Sequence, residues 1–131
     1  MTIDTSALIA ILFSEFDHLR LIDRILDADI NRIGAPTLAE TSLVYIGRLG
    51  RKRTSADAVG SVVEELGLTI VPFGELEWRR AADAFRRYGR GRHKAGLNFG
   101  DCLSYAAAST AGDSLLFVGD DFRLTDIEPA L

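Results

Sequence analysis

Five carboxylates frame the chemical question posed by this 131-residue sequence: Asp4 in IDTS, Glu40 in LAETS, Asp101 in NFGDC, and Asp120 and Asp121 in VGDDF. Two carboxylates ~4 Å apart repel by roughly 4 kcal/mol at an effective dielectric of 20. A group of three or four must therefore take up protons or recruit a divalent cation. An all-oxygen ligand set selects Mg²⁺ or Mn²⁺ over zinc or copper. Such ions activate water and offset the charge of a phosphodiester during hydrolysis. Each acid also has a purely structural reading. Asp4 suits a helix N-cap, and Glu40, three residues after Thr37, completes a T-x-x-E capping box. Asp101 is favoured by a helix dipole, and Asp120 and Asp121 are ordinary turn residues. Only their joint placement points to chemistry, so the elements that carry them decide the matter.

Apolar periodicity alternates short strands with helices. Strands are expected at residues 1–4, 32–35, 68–72 and 114–118, with a last short strand starting near Ile127. Helices are expected at 5–13, capped by Thr5 or Ser6, and at 17–27, with Leu19, Ile22, Ile25 and Leu26 inward. Further helices are expected at 36–49, 54–66, 75–88 and 98–110. Strands that are continuous apolar runs, such as LTIVP and SLLFV, predict burial on both faces of a mostly parallel sheet. The fold class expected is a three-layer α/β/α sandwich forming one domain over 1–131. Ligands of such folds bind beyond the carboxyl ends of the strands. Asp4 and the GDD turn follow strands, Glu40 lies in the first turns of a helix after a strand, and Asp101 opens the helix that feeds the last strong strand.

Composition narrows the alternatives. Cys102 is the single cysteine and there are two histidines, which excludes an internal disulfide and a Cys-built zinc site. Cys102 is expected in the core, as are Trp78 and Phe85 at helical spacing. The N-terminal MTIDTS has an acid where a secretory leader needs basic residues. The apolar stretch ALIAILF is far shorter than the roughly 20 residues of a membrane span. A cytosolic protein is expected. The net charge is −4, which argues against coating nucleic acid through bulk charge. Positive charge is nonetheless concentrated in RLGRKR at 48–53 and in RRYGRGRHK at 86–94. The second run makes Arg86, Arg87, Arg90, Arg92 and Lys94 candidates for gripping phosphates, on a segment whose glycines predict mobility until it is bound. A solvated charged face is the alternative.

IDTSALIAIL, LAETSLV, YGRGRHKAGLNFGDCLSYAAA and LLFVGDDFRLTDI, in this order over nearly the whole chain, resemble PIN-domain ribonucleases. More narrowly they are similar to the VapC toxins of prokaryotic type II toxin–antitoxin pairs. That resemblance implies a Mg²⁺-dependent endoribonuclease, with Mn²⁺ as a substitute, acting on structured RNA such as transfer or ribosomal RNA. It implies catalytic acids at Asp4, Glu40 and Asp101, a fourth acid at Asp120 with Asp121 left open, and a principal metal on Asp4 and Asp101. Thr5 or Ser6 would orient Asp4 or a water at the metal. A homodimer and a VapB-like antitoxin are implied as partners. The late turn GDDF is one residue shorter than the commoner family form. Rival readings are a phosphohydrolase of the haloacid dehalogenase type, a phospho-acceptor receiver domain and a non-catalytic RNA-binding relative. Ser6 stands where the first needs a second aspartate, and the second needs an adjacent acid pair that is missing.

Overall fold

The computed structural model describes residues 1–50 and 57–131. Strands β1 (Thr2–Ile3), β2 (Arg32–Gly34), β3 (Thr69–Val71) and β4 (Leu115–Leu116) form one all-parallel sheet in the order β3-β2-β1-β4. Helices α1 (Thr5–Leu12), α2 (His18–Leu26), α3 (Ala35–Leu49), α4 (Ala58–Glu65), α5 (Glu75–Tyr88) and α6 (Phe99–Ala111) connect and flank it. The expected Ile127 strand reduces to a single bridge between Leu115 and Pro129. Residues 51–53 of the RLGRKR run and the proposed helix start at Thr54 lie outside the described residues.

Two apolar clusters divided by the sheet make the layers. Side chains alternate across a strand, and in β4 the neighbours Leu115 and Leu116 enter different clusters. Leu116 joins Ile3, Leu8, Leu21, Ile25, Ile33 and Val63, which come from the sheet and from α1, α2 and α4. Leu115 joins Ala84, Leu97, Cys102, Tyr105, Ala108 and Phe122, mostly from α5, α6 and the segments after them. Cys102 is in the core as expected. Helix α6 buries eight of its thirteen residues, because it lies between α5 and the sheet. Its small side chains, among them Gly100, Ser104, Ala106, Ala107 and Ala108, permit that close approach.

Three packing expectations change. The run LTIVP was read as a buried strand, but β3 is the sheet edge and Ile70 is 51% exposed. An apolar run does not distinguish a central strand from an edge strand. In α2 the buried pair is Leu21 and Ile25, while Leu19 and Leu26 face outward. The apolar residues cover more than one face, and packing against α1 selects among them. Trp78 and Phe85 are not core: they are 57% and 41% exposed on α5. Among the described residues no helix is long and apolar enough to cross a membrane.

The division of burial predicts unequal costs of truncation. Leu116→Ala, at a fully buried position, should destabilise by about 2–5 kcal/mol. Ile70→Ala, at the exposed edge, should cost under about 1 kcal/mol. Urea unfolding of the two variants measures the difference.

Candidate active site

Parallel β1, β2 and β4 deliver their carboxyl ends to one edge of the sheet, where α1, α3 and the GDD turn begin. Asp4 follows β1, is 4% exposed and is the N-cap of α1, the capping reading of this acid rather than a cap at Thr5 or Ser6. Its Oδ2 accepts from the backbone N–H of Ser6 at 2.9 Å and from Ser6 Oγ at 2.6 Å. Ser6 Oγ in turn accepts from the Val118 N–H at 3.0 Å, which ties the segment after β4 to α1. Just beyond, Gly119 adopts φ +107°, a conformation open to glycine and costly for side-chain-bearing residues, and the chain turns there into Asp120 and Asp121.

Glu40 does not form the expected capping box with Thr37. Helix α3 begins at Ala35 with Gly34 as its N-cap, which moves Thr37 past the capping position. Oε2 of Glu40 accepts instead from Thr5 Oγ1 at 2.7 Å. Buried hydroxyls lie beneath: Thr41 donates to the Thr37 carbonyl at 2.9 Å, and Thr37 meets Ser104 of α6 at 3.3 Å. Asp101 forms a reciprocal capping box at the start of α6. Its Oδ2 accepts from the Asn98 N–H at 2.7 Å, while Asn98 Oδ1 accepts from the Asp101 N–H at 3.0 Å. The N-x-x-D spacing made this box legible in the sequence, and it was missed; Thr37, Thr41 and Ser104 carried no comparable signal.

Electrostatics gathers four of the acids. Burial, foremost, pushes the Asp101 carboxyl up to about 6; the Asn98 N–H pulls the other way, and the negative charges of Asp4, Asp121 and Glu40 raise it further. Asp121 thus acts on Asp101. Asp120, the fourth acid favoured from sequence, is 94% exposed at its side chain and pairs with Arg123 at 3.0 Å. Asp121 is exposed as well. Among the described residues no three of these groups form a metal-binding cage. The donor chemistry nevertheless fits a hard cation. Asp4 and Asp101 each fasten Oδ2 to protein donors, and Oδ1 of each accepts no hydrogen bond among the described residues. Mg²⁺ commonly takes one or two carboxylates and retains water.

The basic candidates separate. Arg87 donates to Asp126 at 2.8 Å and to Tyr88 Oη at 2.5 Å, and Tyr105 Oη donates to Asp126 at 2.7 Å. The bond from Arg87 to Asp126 raises the guanidinium pKa further, and the side chain stays 41% exposed. Arg86 pairs with Asp83. Arg90, Arg92 and Lys94 are exposed, with no carboxylate partner among the described residues. Their loop is less free than its glycines predict. Arg90 N–H bonds Leu97 O and Leu97 N–H bonds Tyr88 O, both at 3.0 Å, and these bonds close its neck. Trp78 and Phe85 line an apolar groove of about 510 Å³ with Phe73, Phe99, Cys102 and Leu103.

Asp101 gives a pH prediction. A carboxyl raised from 3.8 to about 6 contributes stability below pH ~4 that is lost as pH rises through ~6. Asp101→Asn, neutral throughout, should therefore gain stability over the metal-free native protein between pH 4 and 7, by about 1–2 kcal/mol once solvent screening of the half-buried charge is allowed for. Thermal melts at several pH values in a chelator measure this; a constant difference refutes it.

Comparison with known proteins agrees with this architecture. The PIN domain family matches residues 1–128. Ribonuclease VapC of Mycolicibacterium smegmatis is 39% identical over 127 residues, covering 97% of each chain. Ribonuclease VapC28 of Mycobacterium tuberculosis is 39% identical over 132 residues, covering 100% of this chain and 98% of that protein. VapC36 of the same organism is 41% identical, covering 98% of this chain and 91% of the relative. The crystal structure of M. tuberculosis VapC20, described as a sarcin-ricin loop cleaving toxin, has the same fold, with a TM-score of 0.71 over 98% of each chain at 17% identity. These matches show that the chain belongs to the PIN-domain family, among its VapC ribonucleases.

Proposed function

We propose that this chain is a divalent-metal-dependent endoribonuclease, the toxin of a type II toxin–antitoxin pair, with one nuclease domain over residues 1–131. The observation that carries the reading is the placement of Asp4 at the start of α1, Asp101 at the start of α6 and Glu40 against the α6 backbone at Gly100. A Mg²⁺ or Mn²⁺ ion on Asp4 and Asp101 would supply charge against the phosphodiester and acidify water. Glu40 completes the anionic rim with a fourth acid from the GDD turn, Asp120 or Asp121, and the charge of Asp121 felt at Asp101 favours the latter. Ser6 and Thr5 hold Asp4 and Glu40 in fixed orientations through their hydroxyls.

Arg90, Arg92 and Lys94 draw in the RNA backbone, while Arg86 and Arg87 contribute less because carboxylates already occupy them. Structured RNA, ribosomal or transfer, is the substrate class, in line with the loop named for VapC20. A homodimer and a VapB-like antitoxin are the protein partners, and the exposed apolar groove on α5 and α6 supports a protein-binding role. The cytoplasm is the site of action. The phosphohydrolase and receiver readings do not survive the family match.

Cleavage of RNA should require added Mg²⁺ or Mn²⁺ and fall at least ~100-fold in Asp4→Asn and in Asp101→Asn, with circular dichroism unchanged. Equal cutting by metal-stripped protein, or by both variants, overturns the nuclease reading; metal-independent binding without cutting supports the non-catalytic relative. Charge reversal at Arg90 and Arg92 should weaken RNA binding and flatten its logarithmic salt dependence by about 1–2. Unchanged affinity in filter binding across a salt series would return these residues to a solvated face.

A further inference from the structure

We infer that Gly100 is a positioning residue for the Glu40 carboxylate, because the acidic site needs a place on α6 where no side chain stands. The functional half of this inference rests on the nuclease reading; the geometric half does not. Gly100 is buried in the first turn of α6, between Asn98 and Asp101, which form the capping box. A Cβ at Gly100 would lie 2.6 Å from both Cδ and Oε2 of Glu40, and closer still to Oε1. Real Cβ atoms do not approach within 3.0 Å. The Glu40 carboxylate is therefore laid across the backbone of α6, with Thr5 Oγ1 bonded to it at 2.7 Å. From there its charge acts on Asp101.

The helices have little room to separate in compensation. Residues 100, 104 and 107 lie on one face of α6. Ser104 meets Thr37 of α3 at 3.3 Å. A Cβ on Gly34, the residue before α3, would stand 3.4 Å from Ala107 Cβ. Small residues thus set the separation of α3 and α6, and Gly100 is where that seam reaches the acids. Glu40 is the end of a flexible side chain, so an added methyl displaces the carboxylate and leaves the helix intact. Alanine is also the better helix former.

Four proteins test this: native, Gly100→Ala, Glu40→Ala and the double variant. Each is measured for thermal midpoint without metal, Mn²⁺ affinity by titration calorimetry, and RNA cleavage rate. Gly100→Ala should fold with a midpoint within a few degrees of native, bind Mn²⁺ more weakly and cut RNA at least tenfold more slowly. The double variant should match Glu40→Ala within twofold in rate and affinity, since the residue through which Gly100 acts is gone. With Glu40 removed, the alanine should raise the midpoint by more than it does in the native background. Multiplying effects, full function in Gly100→Ala, or equal midpoint shifts in both backgrounds would each overturn the proposal. If Gly100→Ala fails to fold, folding of the double variant still supports it, and misfolding of both assigns Gly100 to packing alone and overturns it. If native protein does not cut RNA, the nuclease reading fails, while the midpoint cycle still decides the relation of Gly100 to Glu40.

Discussion

Like charges stay together in this fold because three of the carboxylates are each fastened by one oxygen to a donor in a fixed element. Asp4 is held by Ser6, Glu40 by Thr5, and Asp101 by the N–H of Asn98. Two of these attachments are also helix caps, so the bonds that start α1 and α6 are the bonds that aim the acids. Capping satisfies backbone N–H groups that a helix start leaves without partners. The structural readings of Asp4 and Asp101 as helix-capping groups therefore hold, and each leaves its Oδ1 without a hydrogen bond among the described residues. Repulsion remains in the metal-free protein, where burial and neighbouring charge keep Asp101 protonated to about pH 6. Functional sites commonly hold groups at some cost to stability, and here that cost has a named residue and a pH range.

Close helix packing is the second constraint. Helix α6 must approach α3 and the sheet, and small residues make this possible at Gly100, Ser104 and Ala107. Buried hydroxyls of Thr37, Thr41 and Ser104 find partners across or within the helices, which avoids the penalty for an unsatisfied polar group. On its other side α6 meets α5, where Arg87, Tyr105 and Asp126 form a polar tie. Burial opposes the charge of Asp126, but hydrogen bonds from Tyr105 and Arg87 hold its carboxyl below the ordinary range. That tie pairs Arg87 with a carboxylate, whereas Arg90, Arg92 and Lys94 on the short loop after α5 are exposed with no carboxylate partner among the described residues.

Much of the fold was legible from local pattern. Apolar runs and amphipathic periodicity located four strands and six helices, and 75–88 matched α5 from end to end. The parallel sheet followed from strands alternating with helices. Asp4, Glu40 and Asp101 were legible because each sits in a recognisable sequence context next to an element boundary. Less legible were the inward residues of α2, the exposure of Trp78 and Phe85 and the edge position of β3. Each of these depends on what packs opposite, and no local window contains the opposing element.

The amino-acid order by itself determined the elements, their alternation and the presence of acids at their boundaries, because backbone propensity and capping act over a few residues. Tertiary structure decided which carboxylate oxygen is engaged and which arginine is paired with a carboxylate. It also made a missing side chain at Gly100 matter, since only packing brings Glu40 of α3 onto the backbone of α6. Distances between groups remote in the chain are set by the summed packing of helices on the sheet, a quantity that no single stretch of sequence contains.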